Sequence, residues 1–344
     1  LDFLACVALN GTQTVRFQSE GWSMTTVDLS DLKVQEAEKE TTASLVRGVL
    51  AQLAQGGYEV AGFDMYAVSS VLPGSGLSSS AACEVLLGTA GNHLFCGDAY
   101  DAVTIARIGQ KAENIYFGKP SGLMDQTASS VGDTVAIDFA NPEAPVVRPI
   151  EANLEGLGLA LCIIDCGADH AALTGEYASI PQEMCQVAAY FGKKVLREVN
   201  EADVLANLPA LRQKVGDRAV LRALHFYADD QRAVEEADAL ASGEKEIFLN
   251  LVKESGRSSW ELLQNITPAA AVAHQDMAIA LTVAEKALNG EGACRVHGGG
   301  FAGTIQAFVP LEKVSAFQKT VESMLGEGCC HVLSIRPAGG IVLE

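Results

Sequence analysis

Between Val71 and Ala82 the chain reads V-L-P-G-S-G-L-S-S-S-A-A. An apolar run ends at Val71, Pro73 stops it, and Gly74, Ser75 and Gly76 form a loop. Leu77 follows, and Ser78, Ser79 and Ser80 lead into an apolar helical pattern through Cys83, Leu86, Leu87 and Phe95. A loop of this kind opening a helix is suited to hold an anion. Glycines let the backbone approach closely, while unpaired N–H groups and the helix dipole favour phosphate. A helix N-cap needs one serine. Three in a row behind Pro-Gly-Ser-Gly exceed that need, so the stretch reads as a phosphate loop. It is not G-x-x-x-x-G-K-[ST], and no lysine sits beside it. It also lacks the context of the dinucleotide fingerprint. Backbone amides must therefore hold the phosphates. Mg²⁺, which prefers hydroxyl and carboxylate oxygens, is expected to share the neutralisation, with Ser80 offering the hydroxyl.

The charge balance supports local binding. Of the 344 residues, 49% are hydrophobic and 19% charged, with a net charge of −19. Nucleic acid and anionic membranes select basic patches, so both are excluded as expected partners. No apolar run approaches the ~18 residues of a membrane span. The nine cysteines are odd in number and form no C-x-x-C, which fits a reducing cytoplasm better than a disulfide framework. The six histidines show no zinc-ligand spacing.

The length suggests two domains, drawn here as residues 1–157 and 158–344. Residues 2–9 read as a strand, and Asn10-Gly11 is a hairpin signal that predicts residues 14–18 as its partner. A third strand is expected over 23–29, a helix over 41–55 and a strand over 63–71. After the phosphate loop and its helix, a second helix runs from Asp98 to about Tyr116, residues 117–124 are irregular, and 125–130 form a short helix. The second half opens with a buried strand over 159–165. A long helical region to residue 288 follows, then strands ending at Val296 and over 304–309, a helix over 311–325 and a last strand over 331–335. Without the inserted helices the order is strand, helix, strand, strand, helix, strand, that of a ferredoxin-like domain.

Two further constellations carry chemistry. Residues 113–126 read E-N-I-Y-F-G-K-P-S-G-L-M-D-Q. Glu113 and Asp125 lie at the ends of a glycine- and proline-containing loop that can bring both carboxylates to one site. Glu113 suits Mg²⁺, and Asp125 suits a base that takes a hydroxyl proton. Equally, Glu113 can be a solvated helix residue and Asp125 a cap. In R-V-H-G-G-G-F-A-G-T, Gly298, Gly299 and Gly300 permit close backbone approach or simply a tight hairpin turn. A lone histidine such as His297 is ordinarily structural.

Together these segments resemble the galactokinase branch of the GHMP small-molecule kinases. Residues 73–82 are similar to that family's phosphate loop, G-L-M-D-Q to its G-I-M-D-Q, and G-G-G-F-A-G to its third motif. The resemblance implies an α+β, two-domain GHMP kinase fold. Its N-terminal domain would resemble ribosomal protein S5 domain 2, and its C-terminal domain would be ferredoxin-like with inserted helices. It implies an ATP- and Mg²⁺-dependent kinase acting on the anomeric hydroxyl of galactose in the cytoplasm; the sequence leaves the oligomeric state open, with a monomer favoured. Asp125 would be the catalytic base, and Ser80 and Glu113 the Mg²⁺ ligands. Gly74, Ser75, Gly76, Leu77, Ser78, Ser79 and Ser80 would cradle ATP phosphates. Gly122, Asp125 and Tyr177 would contact the sugar, with Gly298, Gly299 and Gly300 as a supporting loop. Alternatives are another sugar such as N-acetylgalactosamine or arabinose, or a non-catalytic sugar and ATP sensor. The family's first motif, G-R-T-E-H, is absent and in family order precedes Leu1, so these residues alone are expected to be inactive or very weak.

Overall fold

The computed structural model describes residues 2–71, 78–142, 144–167 and 173–343. Two compact units divide the chain: residues 1–137, 146–149 and 335–344 form one, and residues 138–145 and 150–334 the other.

The first unit is built on a four-stranded sheet of order β1-β4-β2-β3, comprising β1 (Phe3–Leu9), β2 (Thr14–Ser19), β3 (Thr25–Asp28) and β4 (Phe63–Ser69). The Asn10-Gly11 signal predicted β1 and β2 as direct partners. Instead β4 lies between them, antiparallel to β1 and parallel to β2. The turn side chains explain the separation. Asn10 Nδ2 donates to Thr14 O (3.0 Å) and to Asp64 Oδ1 (2.7 Å), and Gly62 N–H bonds Thr12 O at 2.8 Å. The turn is thus held open around the start of β4. A Cβ on Gly62 would sit 2.5 Å from Thr14 O, so only glycine fits there.

Helix α1 (Thr42–Gln55) lays Val46, Val49, Leu50 and Leu53 against Val15, Phe17, Phe63 and Met65 to form this unit's core. Each such side chain contributes about 1.5–3 kcal/mol on burial. Helices α2 (Ser79–Cys96), α3 (Ala102–Lys111) and α4 (Met124–Val131) follow, with a π-helical turn over Ala112–Phe117. Strands β5 (Thr134–Asp138) and β6 (Val146–Ile150) form a two-stranded sheet. The last ten residues return to this unit: Asp133 N–H bonds Arg336 O at 2.8 Å, and Gly340 N–H bonds Ser130 O at 3.2 Å.

The second unit holds β7 (Leu159–Asp165) and helices α5 (Thr174–Tyr190), α6 (Glu201–Ala206), α7 (Leu208–Val215), α8 (Asp217–Ala241) and α9 (Lys245–Ser258). After them come α10 (Asp276–Leu288), β8 (Ala293–Val296), β9 (Thr304–Pro310), α11 (Val314–Leu325) and β10 (Cys330–Leu333). The sheet order is β10-β7-β9-β8, antiparallel throughout. That is the ferredoxin-like order expected from sequence, with α5 to α9 inserted after the first strand. The inserted helices are organised around Arg222, which has no exposed surface. Its guanidinium donates to Ser179 Oγ (2.9 Å), Glu183 Oε2 (3.0 Å) and Leu263 O (3.0 Å). All nine cysteines are free. Among the described residues no helix is long and apolar enough to cross a membrane.

Candidate active site

Helix α2 begins with three serines, and its cap geometry is unusual. Ser78 adopts a left-handed backbone (φ 54°, ψ 54°), and its side chain makes no capping bond to the helix. Its hydroxyl donates instead to Asp125 Oδ2. Two residues on, Ser80 Oγ donates to Glu113 Oε1 at 3.0 Å. The two acids separated by twelve positions in sequence therefore both meet the start of α2. Residues 72–77 fall outside the described set, so the expected phosphate contacts of Gly74, Ser75, Gly76 and Leu77 lie there too.

Local geometry places each acid. Asp125 is the second residue of α4, exposed, at the end of a helix where negative charge is favoured. Gln126, the next residue, points inward and is 1% exposed. Glu113 sits on the π-helical turn, 2% exposed. Such turns interrupt regular helices and recur at functional sites. Gly122 is exposed, with open space where a side chain would stand.

No lysine neighbours the loop in sequence, but the fold carries one to Glu113. After the π turn, Gly118 takes a left-handed bend, and Gly118 and Lys119 N–H groups both bond Glu113 O. Lys119 Nζ is thereby carried to 3.5 Å from Glu113 Oε1. A second missed residue is Glu84. It stands four positions after Ser80 on α2, on the same helix face, and that spacing was the available signal. Gln126 Nε2 donates to Glu84 Oε2 and to Glu113 Oε2, both at 3.0 Å. Glu84 has no exposed surface, and its Oε1 has no partner.

Burial, and then the neighbouring Glu113, push the Glu84 carboxyl from its ordinary 4.5 up to about 8, so it stays protonated at neutral pH. The folded protein keeps a proton that the unfolded chain releases near pH 4.5. Stability from this group is therefore complete below pH 4.5 and is lost as pH rises toward 8, at up to ~1.4 kcal/mol per pH unit. Glu84→Gln keeps the shape and the acceptor without the ionisation. In thermal melts in chelator-containing buffer, its melting-temperature advantage over the parent is expected to be larger at pH 8 than at pH 5. Parallel behaviour at both pH values would contradict this.

The donor set around Ser80 and Glu113 fits Mg²⁺, being one hydroxyl and one carboxylate. Among the described residues there is no cluster of three or more His, Cys, Asp or Glu suited to a metal. Mg²⁺ characteristically takes one or two protein oxygens and completes its shell with phosphates and water.

In the second unit, Tyr177 and the triple glycine meet. Tyr177 Oη donates to Gly300 O at 2.8 Å, and its ring packs edge-on against Phe301 at 5.5 Å. Gly300 has φ +84°, and a Cβ there would lie 2.1 Å from Asn265 O. Asn265 Nδ2 in turn bonds Gly299 O at 3.1 Å. Gly298, Gly299 and Gly300 thus form the β8–β9 turn and seat Tyr177. His297 Nδ1 pairs with the Thr304 hydroxyl at 2.9 Å across that turn, a structural bond.

Comparison with known proteins identifies the family. Residues 44–133 match the GHMP kinases N terminal domain. The chain is 30% identical over 321 residues to a galactokinase of Streptomyces coelicolor, covering 93% of this chain and 79% of the relative. It is 30% identical over 330 residues to a galactokinase of Actinobacillus pleuropneumoniae serotype 3, covering 93% and 83%. The structure of Lactococcus lactis galactokinase complexed with galactose superposes with a TM-score of 0.79 at 24% identity, covering 99% of this chain and 87% of that one. A Streptococcus pneumoniae phosphomevalonate kinase superposes at 0.61 with 13% identity, covering 97% and 89%. These two structures establish the GHMP kinase fold for the whole chain. With the relatives' identity extending over nearly all of its length, and the serine-led helix holding the acids of both motifs, the chain belongs to the galactokinase family of GHMP kinases.

Proposed function

We propose that the protein transfers the γ-phosphoryl group of ATP to the anomeric hydroxyl of galactose, giving galactose 1-phosphate and ADP. The observation that carries this reading is the convergence of Asp125 and Glu113 on the serines that open α2. Asp125 accepts the proton of the sugar hydroxyl as that oxygen attacks the γ-phosphorus, and ADP departs. Ser78 orients the Asp125 carboxylate by donating to one oxygen and leaves the other available for the proton. Ser80 and Glu113 would hold Mg²⁺, which when bound supplies charge neutralisation at the phosphates. Gln126 fixes the Glu113 carboxylate from the buried side. Lys119 adds a cation at the same edge. The N-terminus of α2 favours the phosphates through its backbone N–H groups. Little covalent help is required, because positioning and charge neutralisation provide most of the acceleration in phosphoryl transfer.

The test is sugar-dependent ADP release by the intact protein with galactose, N-acetylgalactosamine and arabinose. Galactose is expected to give the highest kcat/KM and galactose 1-phosphate as product. No galactose-dependent ADP, or a tenfold preference for another sugar, would overturn the assignment.

A further inference from the structure

A cavity of about 670 Å³ lies wholly within the second unit. This is within the range of small-molecule sites. Its walls come from α9, the turn after α9, α10 and β8. Lys253 and Arg257 stand four residues apart on α9, hence on one helix face. Arg295 of β8 joins them because Gly256 lets the two elements approach: a Cβ on Gly256 would lie 3.0 Å from Arg295 Cβ. Three cations therefore gather on one wall in a chain of net charge −19. Trp260 adds a half-exposed indole, and Glu261 and Glu285 add carboxylates.

The pairing of these cations sets the cavity apart. The other arginines, all within the described residues, each have an ion pair, hydrogen bond or other partner. Among the described residues Arg257 and Arg295 make no ion pair and no hydrogen bond, and both line this cavity. Arg295 Nε is moreover a buried donor without a partner. Its charge reaches Glu236, which is not within ion-pair distance. Buried donors are almost always satisfied, so an unpartnered nitrogen on an arginine that lines a cavity points to a ligand acceptor. Guanidinium groups pair with phosphate in bidentate fashion. Carboxylates accept from hydroxyl groups, and an indole face packs on an apolar ring face.

We propose that this cavity is a second binding site, separate from the serine-led site on the first unit, for a hexose phosphate. Its phosphate lies on Lys253, Arg257 and Arg295, its hydroxyls on Glu261 and Glu285, and its ring against Trp260. The assignment does not require the kinase reading, although the product of that reaction belongs to this ligand class.

Trp22 and Trp260 are the only tryptophans, and Trp22 is 65% exposed on the first unit. A Trp22→Phe protein therefore reports Trp260 alone. Its emission is titrated with hexose 1- and 6-phosphates, galactose, inorganic phosphate and AMP. The expected result is a saturable change with at least one hexose phosphate, at least tenfold weaker with galactose or inorganic phosphate. Arg257→Gln and Lys253→Gln in the same background should each weaken it at least tenfold while the circular dichroism spectrum and galactose-dependent ADP release are retained. Absence of a saturable change with every hexose phosphate would overturn the site, as would an unchanged titration in both variants. Tighter binding of AMP or inorganic phosphate would overturn the ligand class. Failure of the kinase reading would appear separately, as absent ADP release with this titration intact.

Discussion

Asp125→Asn is expected to lower kcat of the intact protein by about 10²–10⁴-fold, the usual contribution of a positioned general base. The substitution is nearly isosteric. The asparagine carbonyl can still accept the Ser78 hydroxyl, so the bond to the start of α2 survives. Asp125 is exposed and is not part of the core, so stability should fall by no more than about 1 kcal/mol, the worth of a negative charge at a helix N-terminus. The measurement is galactose-dependent ADP release with saturating ATP, beside a melting curve for each protein. A variant within a few-fold of the parent rate would remove Asp125 from the chemistry. A loss of rate accompanied by an equal loss of stability would assign it a structural role instead.

The largest stability effect is expected at Arg222. This side chain is fully buried, and burial depresses its pKa while Glu183 opposes that shift. Glu183 is shared: Arg218 Nη2 lies 2.5 Å from Oε1 and Arg222 Nη1 3.0 Å from Oε2. Glu183→Gln leaves Arg222 charged, buried and without its counter-charge, which costs about 3–5 kcal/mol. For a unit of this size that corresponds to a melting shift on the order of 10 °C. Arg222→Met should cost less, because Arg218 still pairs with Glu183 and the methionine fills part of the volume. Arg16 and Asp64 are a useful contrast, since both are about half exposed and solvent screens their pair. Calorimetry on Glu183→Gln, Arg222→Met and Arg16→Ala checks the order. Equal melting temperatures for all three would refute the account of the helical core.

Much of the architecture was legible because hydrophobic period and punctuation are local signals. The alternation along β4, the Leu45-to-Leu53 stripe of α1 and the strand–helix order of the second unit can be read from short windows. The β1–β2 pairing could not. A hairpin signal specifies a turn, yet whether its strands pair depends on what else fills the sheet, and here the Asn10 side chain and Gly62 hold the turn open for β4. The return of residues 335–344 to the first unit was invisible for the same reason, because it rests on contacts such as Asp133 to Arg336 between distant segments.

The site divides along the same line. Glycine, serine and acidic residues in contiguous motifs singled out Ser80, Glu113 and Asp125 as candidates, since loop chemistry and helix N-termini are written locally, and the structure brings both acids to the serines that open α2. Glu84, Gln126 and Lys119 emerged only from tertiary structure. Their roles depend on a buried amide that bridges two carboxyls and on a left-handed bend that turns a lysine back over Glu113. The sequence by itself determined which serines and acids are candidates for the start of α2. The folded chain decided which charges surround that chemistry, because desolvation and charge pairing are set by three-dimensional neighbours and not by spacing along the chain.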